Sequence, residues 1–566
     1  MYDVAIIGGG PAGSTAATLL KKYNPSLKVV VIERERFPRD HVGESQLPPI
    51  SQVLDEMGCW DKVEAADFPI KIGATYKWGA SKELWDFEFV PAAEFKDEPR
   101  PAKYDGFRKA TAFQVDRAIY DKILLDHAAE CGAEVWEETT VRKVESEEDE
   151  ITRLVLEDGR EIKARYYFDA SGHAGILRRA LGVEAPPRTS LMNVAFWDYW
   201  QNADWAVEIG VGGTRVQVIS LGYGWIWFIP LGPTRTSVGL VVPKDYFKEC
   251  GLSAKELYDR ALGEDSRIVG LMQKATSEDK FTTTKDWSFL ADRHVGKNWF
   301  LVGESAGFAD PILAAGMTLA HVGAKEAAYT VLALDEGKLK EQWLKDNFDS
   351  RQKQRIGSHI MFADYWYTAN AQFTDLKKFT TEIAASNGYQ MTPDDAWRWL
   401  AQGGFIGETL LIGHGGFSLS AIKDAHQIMT GHKAESILAK TNVFKLDISR
   451  ASWVEKPLFA DGKITKMPCY TRDGKTLPLA GVIQATVDIL ERSSRLPDIL
   501  SMIGSLAQNN MNDEKFLRDV VQAIPTALEA MVEDGWVHAS YDPNFPLVAP
   551  PPVETGVFWN KDAVRV

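Results

Sequence analysis

The chain has 566 residues, 45% of them hydrophobic and 25% charged, with a net charge of −15. This length exceeds one ordinary core and calls for two or three domains. The acidity argues against a nucleic-acid partner or an anionic membrane surface, and no apolar run approaches the roughly 18–20 residues that span a bilayer.

The chain enters a strand at once, with YDVAII at 2–7, which leaves no room for a signal peptide. A glycine turn and a helix over about Ala12–Tyr23 follow, then KVVVIER at 28–34, completing a βαβ unit. Residues 113–130 have helical apolar spacing and lead to the strand AEVWEE and further strands to about 170. Residues 190–245, rich in aromatic and β-branched side chains, read as an antiparallel sheet. NWFLVGE at 298–304 runs into a glycine turn and a helix near 316–336. Hairpin signals stand at Asp461-Gly462 and Asp473-Gly474, and 480–536 reads as helical. The scattered Cys59, Cys131, Cys250 and Cys469 contain no CxxC and read as reduced thiols in a cytoplasmic protein, with no metal site. The fold class expected is α/β: a Rossmann-like dinucleotide domain with an antiparallel substrate-side sheet and a mostly α C-terminal region. The expected divisions are 1–337 with the inserted sheet at about 190–245, a helical region 338–450, and a helical or winged-helix-like region 451–566.

Gly8-Gly9-Gly10-Pro11-Ala12-Gly13 fits GxGxxG between a strand and a helix, and Glu33 ends the next strand. Glycines admit a pyrophosphate to the backbone, the helix N-terminus favours its charge, and Glu33 suits a ribose hydroxyl. Gly8, Gly10, Pro11, Ala12, Gly13 and Glu33 are therefore cofactor candidates. Asp169-Ala170-Ser171-Gly172 and Gly303-Glu304-Ser305-Ala306-Gly307 resemble the later FAD motifs of para-hydroxybenzoate hydroxylase-like flavoproteins. That resemblance implies FAD, with Asp169, Gly303 and Glu304 beside it. Glu304 stands where the family usually has an aspartate, so a longer reach to the ribityl chain is expected. Arg117, in VDRAIYD, resembles the arginine which that superfamily places near the cofactor. No second strand-linked GxGxxG is present; Gly413-His414-Gly415-Gly416 lacks the strand.

Trp225-Ile226-Trp227-Phe228-Ile229-Pro230 fits WxWxIP, and with FPRDHVGES (37–45) and GATYKWG (73–79) the chain resembles the flavin-dependent halogenases of phenolic or pyrrole type over roughly residues 1–450. Alternation places Trp225 and Trp227 on one strand face. The resemblance implies a barrier there that keeps substrate off the flavin, so that halide is oxidised first, to hypohalous acid. It also implies a lysine that takes up the acid, by hydrogen bond or as a haloamine. Lys71 matches that position, with Lys77 as its rival. Strict alternation puts Lys71, Gly73 and Thr75 on one side and Ile70, Ile72 and Ala74 on the other, and a buried lysine has its pKa lowered toward the nucleophilic amine. Asp310-Pro311-Ile312-Leu313-Ala314-Ala315-Gly316-Met317 resembles the loop before the last FAD-domain helix, which makes Ala315, Gly316 and Met317 candidate halide ligands through their amides. Leu313 occupies the place of a glutamate in tryptophan-type members, leaving the general base unassigned. Phe362, Tyr365, Trp366 and Tyr367 form an aromatic cluster suited to helix packing or a substrate wall.

The activity expected is a two-component halogenase that receives reduced FAD from a separate flavin reductase. It would use dioxygen and halide on a small electron-rich arene, free or carrier-bound. The alternatives are an FAD monooxygenase, a geranylgeranyl-reductase-like oxidoreductase, or a non-enzymatic flavoprotein that binds a partner through its C-terminal helices.

Overall fold

The computed structural model describes residues 1–386, 419–431, 437–513, 517, 521, 523–547 and 556–560. The chain divides into one unit of Met1–Gly388, Phe459–Ile464 and Phe558–Val566 and another of Tyr389–Leu458 and Thr465–Val557. The first division therefore falls at residue 388 and not at the expected 337. The cause is the helix Glu341–Thr368, which buries Phe362, Trp366 and Tyr367 within the first unit.

The first unit holds two main sheets. One is parallel, in the order Trp299–Leu301, Ala164–Asp169, Tyr2–Ile7, Val29–Ile32 and Glu134–Trp136. Val30, Val31, Ala5 and Ile6 are fully buried, as strands covered on both faces must be. The helix Pro11–Tyr23 opens with proline at its first turn, where a missing N–H costs nothing, and the helix Gly316–Glu336 packs against it.

The second sheet is mixed and, among the described residues, has eleven strands. Its path runs Gly307–Phe308, Thr282–Leu290, Pro187–Gln201, Arg235–Pro243, Trp225–Pro230, Gly213–Ser220, Ile70–Lys77, Trp85–Glu88 and Val557–Trp559. The antiparallel sheet expected over 190–245 is its centre. Its continuation through Ile70–Lys77 joins in parallel to Gly213–Ser220, a pairing between strands too far apart in sequence for any local signal.

In the second unit, Val443–Leu446 pairs antiparallel with Val537–Ser540, and helices span Gly481–Leu490, Leu496–Asn509 and Ile524–Glu533. The stretch 452–478, in the region expected to be helical or winged-helix-like and marked by hairpin signals, is a three-stranded sheet. Both its turns sit at the Asp-Gly pairs. Asp461 and Gly462 have φ of 50° and 74°, and Asp473 and Gly474 have 51° and 78°, the two-residue geometry that matches strand twist. Residues 413–416 lie outside the described residues. Among the described residues no helix is long and apolar enough to cross a membrane, and no cluster of three or more His, Cys, Asp or Glu is arranged to hold a metal ion.

Candidate active site

The turn after the first strand is tight. Gly8 has φ +107°, and a Cβ there would lie 2.3 Å from the Ala170 oxygen; one on Gly13 would lie 1.9 Å from the Gly8 oxygen. These two glycines serve close backbone packing. Gly10 is different, since a Cβ there meets only Arg39 Nη2 at 3.7 Å and otherwise faces open space. Room in front of an uncapped helix start is what a pyrophosphate needs. Glu33 accepts from the Gly9 amide at 2.7 Å and the Glu35 amide at 2.9 Å, so it braces the turn at whose edge it stands.

Asp169 ends its strand and accepts from Ser171 N (3.1 Å) and Oγ (2.5 Å), Leu177 N (2.7 Å) and Arg178 N (3.1 Å). Its carboxylate shapes the 169–178 turn. Gly303 has φ +64°, and a Cβ there would lie 3.2 Å from Ala12 Cβ, so the 303–305 turn abuts the first turn of the 11–23 helix. Glu304 follows; burial raises its pKa, opposed by the charges of Arg117 and His173. Arg117 donates to Asp121 at 2.7 and 2.9 Å and to the carbonyls of Val42 and Gly43 at 2.9 and 3.2 Å. It thus clamps the 37–45 segment onto its helix. The same segment carries a residue that no local pattern singles out. Burial pushes Glu44 up to about 7, against a hydrogen bond from Tyr199 at 3.0 Å and the charge of Arg117.

These residues fit FAD. Buried polar atoms of Ser45, Gln114 and Thr318 make no hydrogen bond within the protein, and Ser45 and Gln114 are backbone bridge partners. Buried polar groups demand partners, so unpaired ones mark where a polar cofactor would supply them. Gly10→Val tests the placement. It should lower FAD affinity about a hundredfold, as expected for a side chain crowding a phosphate, and leave the melting temperature within a few degrees; unchanged flavin content would move the phosphate elsewhere.

The sheet brings the two tryptophans and Lys71 to one face. Trp227 pairs with Val218, and Val218 pairs with Tyr76. Trp225 and Trp227, two apart, have ring centroids 6.1 Å apart; Trp78 lies 6.4 Å from Trp225, and Trp197 lies 6.5 Å from Trp227. Trp227 Nε1 donates to Ser237 Oγ at 3.1 Å, and its ring lies where a Cβ on Gly239 would be, 2.1 Å from Cζ2. Gly239 is thus a slot for this indole, a role invisible without the cross-strand register.

Strict alternation fails at Lys71. The pairing runs Thr214 with Lys71 and then Arg215 with Gly73, so Ile72 is an extra, bulged residue. Thr214 shares its face with Val216 and Val218. The bulge therefore turns Lys71 onto the tryptophan face and leaves Gly73, Thr75 and Lys77 on the other. The contacts agree. Lys71 Nζ stands 5.7 Å from the Phe89 ring centroid, whereas Lys77 pairs with Asp265 at 2.8 Å and Thr75 donates to Asp86 at 2.6 Å. Lys71 is two strands over and four residues along from Trp227, about 16 Å by strand dimensions. It is 2% exposed, and burial alone pushes its pKa down to about 7; among the described residues no carboxylate lies within ion-pair distance. Around it the face is aromatic: Phe87 and Phe89 meet edge to face at 5.3 Å, Tyr76 stacks on Trp85 at 4.6 Å, and Trp366 lies 5.4 Å from Tyr76.

At the head of the 316–336 helix, Ala314 is left-handed (φ +53°) and Ala315 caps the helix without a side-chain hydrogen bond. Among the described residues, no backbone carbonyl accepts from the amides of Ala315, Gly316 and Met317. A Cβ on Gly316 would meet nothing nearer than Phe308 at 4.0 Å. Free amides at a helix N-terminus with space before them suit a small anion. Leu313 is buried, so no carboxylate enters this loop there.

The chain is similar to proteins of known kind. The family profile for tryptophan halogenase matches residues 3–104 and 100–382. The tryptophan 2-halogenase of Chondromyces crocatus is 33% identical over 354 residues, 59% of this chain and 62% of that protein, so the chain spans less than two thirds of that relative. The 1H-pyrrole-2-carbonyl-(peptidyl-carrier protein) chlorinase of Pseudomonas fluorescens is 30% identical over 386 residues, covering 66% of this chain and 85% of the relative. The crystal structure of CmlS, a flavin-dependent halogenase, superposes with a TM-score of 0.70 and 23% identity over 98% of this chain and 99% of that one, which supports the fold.

Proposed function

Since this chain belongs to the tryptophan halogenase family, we propose that it is a flavin-dependent halogenase of electron-rich aromatic compounds, fed with reduced FAD by a separate reductase. The observation that carries the reading is Lys71, buried with no counter-charge among the described residues, turned by a bulge onto the face of Trp225 and Trp227 and beside an aromatic surface.

When bound, FAD in its reduced state supplies the electrons through which dioxygen is brought to the oxidation level that turns halide into hypohalous acid. The amides of Ala315, Gly316 and Met317 hold the halide. Trp225 and Trp227 occupy the space beside it by bulk and exclude the arene. Lys71 receives the acid some distance away, across the aromatic face. With its pKa pushed down to about 7, a substantial fraction is neutral amine near neutral pH. Its lone pair attacks the halogen as the halogen–oxygen bond breaks, and the departing hydroxide takes the nitrogen's proton to become water. The resulting haloamine hands the halogen to the ring, whose displaced proton returns to the amine. The aromatic side chains around Lys71 would hold a flat ring by stacking and edge contacts. One relative's name specifies a carrier-bound pyrrole; a substrate tethered to a carrier protein is the finer form of this proposal.

The test is an assay with FAD, flavin reductase, NADH, one of three halides, and a panel of phenols and pyrroles, read by mass spectrometry. A product that gains one halogen and requires halide supports the reading. A hydroxylated product formed without halide would make the protein a monooxygenase. Product formation should rise with pH through about 7, where Lys71 loses its proton; a fall across that range would assign the work to the ammonium as a hydrogen-bond donor.

A further inference from the structure

Four segments far apart in sequence meet at one buried carboxylate. Asp310 Oδ1 accepts from the Ile312 amide at 2.9 Å, and Oδ2 accepts from Asn193 Nδ2 at 2.8 Å. The Tyr367 hydroxyl donates to the carboxylate at 3.1 Å. Trp225 Nε1 in turn donates to the Tyr367 oxygen at 2.7 Å, and Asn193 Nδ2 reaches that oxygen at 3.1 Å. Asp310, Asn193, Tyr367 and Trp225 are each no more than 2% exposed.

The two ends of this chain of hydrogen bonds have different tasks. At one end, Asp310 caps the 311–313 turn, which sets Ala314 left-handed and delivers the amides of 315–317 at the helix start. At the other end hangs the indole of Trp225. In a buried, low-dielectric interior, a phenol that donates to a carboxylate becomes a better acceptor for the next donor, so the links reinforce one another. Burial raises the Asp310 pKa, while the Ile312 amide, Tyr367 and Asn193 favour its charge. Chain neighbours do not predict this meeting; it exists because the strand with Asn193, the strand with Trp225 and the helix with Tyr367 converge.

We infer that Tyr367 and Asp310 are positioning residues that tie the Trp225 indole and the turn heading the 316–336 helix into one arrangement, so that the barrier and the anion site are set together. The meaning given to barrier and anion site rests on the halogenase reading; the mechanical tie does not. Neither residue is assigned contact with the arene. Breaking the tie at Tyr367 frees the indole and loosens the turn at once.

The experiment uses the full chain with 15N-labelled indoles, the Trp225 signal being assigned through Trp225→Phe. Tyr367→Phe keeps the ring and removes only the hydroxyl. It should move the Trp225 N–H signal upfield and speed its exchange with solvent, and Asp310→Asn should move it in the same direction. Chloride titrated into the flavin-free protein and read on the same signals should bind about tenfold more weakly in Tyr367→Phe, the size of one lost hydrogen-bond link. In turnover, the halide KM should rise by a similar factor with a smaller change in kcat, and more peroxide should appear per halogenated product. An unmoved Trp225 signal in Tyr367→Phe, or a moved signal with wild-type chloride affinity, overturns the inference. If the wild-type protein makes no halogenated product, the halogenase reading fails, and the indole signal and chloride titration still decide whether the tie exists.

Discussion

Lys71→Met should abolish halogenation and make the protein more stable. The loss follows from the role proposed for the amine: removing a group that acts chemically costs about 100- to 10,000-fold in rate. FAD binding and consumption of reduced flavin should persist, because no cofactor contact is assigned to Lys71. The gain in stability follows from burial. The side chain has a native pKa near 7 against 10.5 for a solvated lysine. Between those values the unfolded chain binds a proton that the native state does not, so stability rises with pH across that window, by up to about 1.4 kcal/mol per unit. Below the window both states are protonated and the native state bears the full cost of a buried charge. Met fills similar volume without that cost, so at neutral pH the variant should gain a few kcal/mol, and the slope of stability against pH between 7 and 10.5 should fall. Urea titrations at several pH values measure both. A variant with wild-type product yield would remove Lys71 from the chemistry; one with the wild-type slope would show that its ammonium is not desolvated.

Gly239→Ala should expel an indole with one methyl group. A glycine inside a strand weakens it, so its presence there points to a close approach. The approach is the Trp227 ring, whose Cζ2, Cε2 and Cη2 lie 2.1, 2.3 and 2.5 Å from where that methyl would stand. No backbone rotation relieves this, because the neighbouring strands carry Trp197 and Trp227 in register with Gly239 on either side. Overpacking of this kind costs about 1–3 kcal/mol. The indole must leave the slot and surrender its hydrogen bond to Ser237. We expect a lower denaturation midpoint and a product mixture shifted from halogenated arene toward peroxide and hydroxylated arene. Adding Trp227→Leu to Gly239→Ala should restore the midpoint, since the clash is gone, and should not restore the product ratio, since the bulk is gone too. A single variant with wild-type stability and product ratio would show that Trp227 is not held by this slot.

Features encoded by neighbours in the chain are legible from residue order. The glycine turn at 8–13, Pro11 at the helix start, the Asp-Gly hairpins at 461–462 and 473–474, and the buried strand of the WxWxIP motif all depend on allowed φ and ψ or on short periodicity. The burial of Lys71 is legible only through the resemblance of its stretch to the family's lysine position. The direction of that lysine is not. Alternation assumes an unbroken ladder, and the extra residue Ile72 appears only when Ile70–Lys77 lies against Gly213–Ser220, more than a hundred residues away. The slot at Gly239 likewise needs its neighbouring strands, and the tie through Asp310, Asn193, Tyr367 and Trp225 needs four segments at once. Sequence by itself determined the kinds of groups this protein has and the local backbone that carries them. Tertiary structure decided which face each group occupies and which partner it meets, because strand register and long-range pairing are set by packing between distant segments and leave no trace in the spacing of adjacent residues.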